Sequence, residues 1–115
     1  MTRSIEIGAK NVEMTANAAS PIFFKQCFHE DFKLIRQKLY KIDTEDPEFQ
    51  AGLEELFEKM GYIMAKQAEG TQKEASYDGF VEWLESFNPF DLELAIQDIA
   101  TMYHEQEKPS SVPKK

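Results

Sequence analysis

Residues 46–70 read DPEFQAGLEELFEKMGYIMAKQAEG, and this stretch predicts a long amphipathic helix. Asp46 can cap the helix and Pro47 suits its first position, while Gly70 is a typical stop. Gly61 lies inside the helix and either costs about 1 kcal/mol relative to alanine or allows close packing. The apolar stripe comprises Phe49, Leu53, Leu56, Met60, Ile63 and Met64, with Phe57 alongside. This spacing predicts a helix over residues 46–69.

Similar signals predict the other helices. Ser20 and Pro21 have the cap-plus-proline pattern, and an aromatic, basic helical segment over residues 20–42 follows. Asp31 can cap a second helix, so this segment is either one helix or two. Its stripe comprises Phe24, Phe28, Phe32, Ile35, Leu39 and Ile42. Ser76 predicts a helix over residues 76–87, and Asn88 with Pro89 predicts the last one over residues 89–106.

The N-terminal residues 3–15 have the alternating pattern of a β-hairpin. Ile5 and Ile7 alternate with polar residues, and Val12 and Met14 do the same after turn residues at positions 8–11. Because an isolated hairpin is marginally stable, its apolar face must lie on a helix or on another copy of the chain.

The predicted fold class is therefore mainly α: an N-terminal β-hairpin followed by a compact bundle of four to five helices. A chain of 115 residues predicts a single domain, here over residues 1–107. Residues 108–115 contain two prolines, two serines and three lysines, which predicts a disordered basic C-terminal tail.

The net charge of −8 is unevenly distributed along the chain. Residues 1–41 carry +3, residues 42–107 carry −14 and the tail carries +3. An acidic body argues against nucleic-acid binding, which requires a basic face. The apolar runs are too short for a membrane helix or a signal peptide, and one cysteine cannot form an internal disulfide. These features favour a cytoplasmic protein that binds no membrane.

The titratable residues do not form a recognisable catalytic or metal motif. Cys27 and His29 supply two ligands at most and point apart on a helix, His104 suits a helix C-terminus, and the carboxylates Glu54, Glu55 and Glu58 form a solvated acidic face. We therefore expect no catalytic residue, no metal site, no cofactor and no enzyme activity.

Two sets of residues are candidates for binding other proteins. Phe23 and Trp83 fall off the main stripes of their helices, and together with Phe90 they are a candidate partner-binding surface, with ordinary core packing as the alternative. The basic residues Lys33, Arg36, Lys38 and Lys41 are candidates for self-association with the acidic body of another copy, with a plain solvated face as the alternative.

Three segments of the chain together resemble a known family. The first is Arg3–Ala19, a short hairpin with an Asn-Ala-Ala sequence before Ser20 and Pro21. The second is the acidic, aromatic segment Phe80–Phe87, and the third is the end of the tail, Pro113–Lys115. In this pattern the chain resembles the tail assembly chaperones of long-tailed, siphovirus-type bacteriophages and prophages of Gram-positive hosts.

This resemblance implies a non-enzymatic role in virion morphogenesis, in the cytoplasm of an infected or lysogenic bacterial host. Such chaperones bind the tape measure protein, keep it soluble and help to recruit tail tube subunits, and they are absent from the mature virion. Many relatives also have a longer form made by a ribosomal frameshift, and codons for Lys114 and Lys115 would suit such a shift.

Two other classes of function compete with this interpretation. One is a small acidic helical adaptor or regulatory protein unrelated to phage tails. The other is a helix-turn-helix DNA-binding protein that uses the basic first helix, although the charge of −14 on residues 42–107 would repel a duplex.

Overall fold

The computed structural model describes residues 1–109 and shows an N-terminal two-stranded hairpin followed by five α-helices, which confirms the predicted fold class. The predicted tail extends beyond this part of the chain, so residues 110–115 lie outside the described residues. A short 3₁₀ helix, Gln72–Glu74, joins the third and fourth helices. The elements are β1 (Thr2–Ile7), β2 (Lys10–Thr15), α1 (Ser20–Phe28), α2 (Phe32–Leu39), α3 (Pro47–Glu69), α4 (Tyr77–Glu85) and α5 (Pro89–Gln106).

The hairpin packs on helices of its own chain. Strand β1 contacts α5 and strand β2 contacts α3. The antiparallel register pairs Ile7 with Lys10 and Ile5 with Val12, so the chain reverses at Gly8 and Ala9, with Gly8 at a φ of 63°. Because side chains alternate between the two faces of a strand, Ile5, Ile7 and Met14 share the face that is buried in the core. The apolar face of the hairpin therefore packs on helices of its own chain and not on another copy.

The predicted segment 20–42 contains two helices, α1 and α2. Helix α1 ends at Phe28. The C-cap residue that follows, His29, has a left-handed φ of 58°, and its backbone N–H donates to the Lys25 carbonyl over 2.7 Å. Asp31 then adopts an extended conformation, and its carboxylate accepts from the Leu34 N–H over 3.0 Å. The cap at Asp31 therefore begins a new helix.

The other helix ends form where the sequence signals lie. The side chains of Asp46, Ser76 and Asn88 each accept a hydrogen bond from a backbone N–H in the first turn of α3, α4 and α5. Gly70 ends α3 with a left-handed φ of 78°. Each of these caps is made within three residues of the chain, which explains why the local sequence predicts them.

Ser20 does not cap α1 as predicted, because Ala19 occupies the N-cap position. The buried Ser20 hydroxyl instead accepts from the Asn17 N–H over 3.0 Å and donates to the Gln67 side chain over 2.6 Å. Ser20 therefore ties the start of α1 to α3.

Helix α3 lies at the centre of the core. Its middle part is buried from Leu56 to Ala65 except for Glu58, and Met60 and Met64 fill the interior. A Cβ added at Gly61 would come within 3.1 Å of the Ile99 side chain, so this glycine allows α5 to approach α3 closely. Among residues 1–109, we find no helix with the length and apolar character needed to cross a membrane.

Because of Tyr103 on α5, we expect the protein to become less stable at alkaline pH. Burial, followed by the charge of Glu107, raises the pKa of Tyr103 to about 12, although Arg36 acts in the opposite direction. Since tyrosine in an unfolded chain has a pKa of about 10, only the unfolded state ionises as the pH rises from about 10 to about 12. We expect this residue to lower the free energy of unfolding by roughly 2–3 kcal/mol across that range.

Urea denaturation at several pH values measures this effect. The Tyr103→Phe variant should lose the Tyr103 part of the pH dependence, whereas Tyr77→Phe, at an exposed position, should retain it. An identical pH dependence in Tyr103→Phe and the wild type would contradict the prediction.

Candidate functional site

Cys27 and His29 lie at the end of α1 in different environments. Cys27 is half-buried, and burial raises the pKa of its thiol while the positive charge of Lys59 opposes the shift. His29 is exposed at the left-handed end of the helix. Within the described part of the chain, no group of three or more His, Cys, Asp or Glu side chains is placed to hold a metal ion.

A buried lysine on α3 forms an ion-pair cluster that the sequence analysis missed. Lys59 is only 9% exposed, and its Nζ lies 2.9 Å from a Glu30 carboxylate oxygen and 3.1 Å from one of Glu55. Burial lowers the pKa of Lys59, but these hydrogen bonds and charges outweigh burial and raise it overall. The Nζ also lies 5.3 Å from the centre of the Phe28 ring. The cluster therefore joins the α1–α2 turn to α3.

The predicted acidic face of α3 is only partly exposed. Glu55 is exposed and pairs with Lys59, whereas Glu54 and Glu58 are half-buried. Burial, and then the charges of Glu54 and Glu55, raise the pKa of Glu58. The i, i+4 spacing of Glu55 and Lys59 was the one local signal of the ion pair, but Glu30 is distant in sequence.

The three aromatic residues proposed as a partner-binding surface lie on three different helices. Phe23 on α1 and Trp83 on α4 are half-buried and pack against the core. The Trp83 ring lies 5.0 Å from that of Phe87 and 5.8 Å from that of Tyr62. Phe90, in the first turn of α5, is 64% exposed. Phe90 therefore presents the most apolar surface of the three.

Arg36 differs from the other proposed self-association residues because it is already paired within its own chain. Its two terminal nitrogens each lie 2.8 Å from a Glu107 carboxylate oxygen, and the guanidinium lies over the rings of Phe32 and Tyr103. The hydrogen bond to Glu107 raises the pKa of Arg36, which burial opposes. Arg36 therefore fastens α2 to the end of α5.

Lys33, Lys38 and Lys41 are exposed, as is Lys25 on α1. None of these four lysines has an ion-pair partner among residues 1–109. We use the name basic surface for the exposed lysines and large apolar residues of α1 and α2, together with Lys41 just after α2. Its members are Ile22, Lys25, Lys33, Leu34, Lys38 and Lys41. This surface combines unpaired positive charge with exposed apolar side chains.

A groove of about 540 Å³ lies between α1 and α2 within the basic surface. Its lining combines basic, apolar and other polar side chains. The lining residues are Pro21, Ile22, Lys25, Gln26, Asp31, Phe32 and Lys33.

Two acidic faces contain the other exposed large apolar side chains of helices α1 to α5. Residues 74–107 contain no lysine or arginine, so the carboxylates of α4 and α5 have no basic neighbour in their own segment. The α4 face comprises Tyr77, Asp78, Val81, Glu82 and Glu85, all exposed. The α5 face comprises Phe90, Glu93, Leu94 and Asp98, also all exposed. Both faces suit a partner that is apolar and basic.

No protein-family model, curated protein or solved structure matches the chain significantly. The structure itself therefore defines the class, a helical domain with an N-terminal hairpin and oppositely charged apolar surfaces.

Proposed function

We propose that this chain is a tail assembly chaperone of a long-tailed bacteriophage or prophage. In this role it binds the tape measure protein in the bacterial cytoplasm, keeps it soluble and helps to recruit tail tube subunits. The sequence resemblance over Arg3–Ala19 and Phe80–Phe87 supports the proposal. The residues quoted from the tail, Pro113–Lys115, and the proposed frameshift signal at Lys114 and Lys115 lie outside the described residues.

The main structural support for the proposal is that the α4 face exposes apolar side chains among carboxylates. Tyr77 and Val81 are one helical turn apart and exposed, and they are flanked by the carboxylates of Asp78, Glu82 and Glu85. A long helical client with an apolar stripe and basic flanks matches this pattern in both polarity and charge. Binding here would cover apolar surface on the client that otherwise drives its aggregation.

Co-expression with the tape measure protein encoded in the same phage genome tests the proposal. We expect the wild-type chain to hold the client in the soluble fraction as a complex that survives purification. The double variant Tyr77→Ala/Val81→Ala should weaken that complex about tenfold or more, because a loss of about 1.4 kcal/mol of apolar contact is already tenfold. The readouts are the amount of soluble client and the affinity for the client.

The matched control is Leu34→Ala, which removes a similarly exposed apolar side chain from α2. It should solubilise the client as well as the wild type does. An insoluble client beside the wild-type chain, or full activity in Tyr77→Ala/Val81→Ala, would contradict the proposed function.

A further inference from the structure

We propose that copies of this chain associate head to tail, with the α5 face of one copy docked in the α1–α2 groove of the next. This interaction goes beyond the proposed function, because it involves a second copy of the chain rather than the client and uses α5 rather than α4. It differs from the self-association predicted from Lys33, Arg36, Lys38 and Lys41, because it adds an apolar contact to the charges.

The inserted part is an apolar pair on α5. Phe90 and Leu94 are one turn apart and are 64% and 62% exposed, which makes them the two most exposed large apolar side chains of the described chain. Glu93 and Asp98 lie on the same face and have no ion-pair partner among residues 1–109. The α5 face is therefore an apolar knob bordered by negative charge.

The receiving part is the α1–α2 groove, which has the complementary character. Pro21 and Ile22 supply accessible apolar lining, Phe32 is only 1% exposed, and Lys25 and Lys33 supply positive charge. Asp31 also lines the groove, but its carboxylate already accepts the Leu34 N–H at the cap of α2. Lys38 and Lys41 continue the positive charge along and just beyond α2. Apolar contact at the centre with opposite charges at the border is the usual composition of a specific interface.

The knob and the groove of one molecule lie too far apart to meet. The groove is lined by Phe32, whose ring centre lies 4.9 Å from that of Tyr103 near the other end of α5. Along a helix that rises about 1.5 Å per residue, Phe90 lies about 20 Å from Tyr103. Only a second molecule can therefore bring an α5 face to this groove.

Association through two different surfaces is heterologous, so an open assembly keeps one free knob at one end and one free groove at the other until a ring closes. The assembly should therefore grow with concentration, and it should dissociate at high ionic strength because exposed charges contribute to the contact.

Two variants that each damage one surface test the proposal by sedimentation velocity at low ionic strength. The knob variant is Phe90→Ala/Leu94→Ala and the groove variant is Lys25→Glu/Lys33→Glu. Wild-type protein should form dimers and larger species, while each variant alone should remain monomeric with an unchanged circular dichroism spectrum. An equimolar mixture should form one-to-one heterodimers and nothing larger, because it restores a single intact knob–groove contact.

Matched controls distinguish this contact from nonspecific apolar association and from nonspecific charge effects. Tyr77→Ala/Val81→Ala removes exposed apolar surface from α4, and Lys73→Glu reverses an exposed lysine outside the groove. Both should associate as the wild type does, which also distinguishes a failure of this inference from a failure of the proposed function.

Four results would overturn the inference. They are a monomeric wild type up to millimolar concentration, wild-type assembly by either interface variant, a mixture that forms no heterodimer, and an equal loss of assembly in Lys73→Glu. If the wild type is monomeric and the groove variant loses the tape measure protein, the groove is a client site instead.

Discussion

Replacing Phe32 with alanine should lower the free energy of unfolding by about 4 kcal/mol, the middle of the range for a buried phenylalanine. Phe32 is 1% exposed at the start of α2. Its ring centre lies 5.4 Å from that of Phe24, 5.6 Å from that of Phe57 and 4.9 Å from that of Tyr103. These rings come from α1, α3 and α5, so the cavity would open where four helices meet.

Urea denaturation at neutral pH, followed by circular dichroism, measures the Phe32→Ala effect. The control is Phe90→Ala, which truncates the same side chain at a mostly exposed position and should change the free energy of unfolding by less than about 0.5 kcal/mol. Similar destabilisation by the two substitutions would show that the aromatic cluster around Phe32 is not the centre of the core.

The second large effect is expected in the hairpin. Met14 on β2 is fully buried, at 0% exposure, and β2 packs on α3. Truncation of Met14 to alanine should lower the free energy of unfolding by about 3 kcal/mol, through lost apolar burial and the cavity left behind. Because a two-stranded hairpin is marginal by itself, this contact stabilises the hairpin and α3 together.

Glu13→Ala is the neighbouring control, since Glu13 lies on the exposed side of the same strand. Its unfolding midpoint should match that of the wild type. If Met14→Ala removes only the strand signal and leaves the helical transition unchanged, the hairpin is not part of the cooperative core.

The sequence alone predicts the elements because their signals are local. The cap at Asp46 is a bond to a backbone N–H two residues away, and those at Ser76 and Asn88 span no more than three residues. The alternation of Ile5, Ile7, Val12 and Met14 is likewise local. Such interactions involve only residues close in sequence, so the type of each element and its apolar side could be predicted from the chain.

The contacts that arrange these elements are not local and could not be predicted. Lys59 pairs with Glu30, Arg36 with Glu107, and Ser20 with Gln67. The partners in these pairs are 29, 71 and 47 residues apart in sequence. One of these contacts removes Arg36 from the set of free basic residues, a distinction that composition cannot make.

The solvent exposure of individual side chains is what the sequence did not determine and only the tertiary structure decided. The sequence determined a hairpin, a series of amphipathic helices, and a basic and an acidic segment, since periodicity and charge order are properties of the chain itself. Only the tertiary structure decided that Trp83 and Phe23 are half-buried while Phe90 and Leu94 are exposed. The physical reason is that burial depends on which neighbouring elements cover a side chain, and distant parts of the sequence supply that cover.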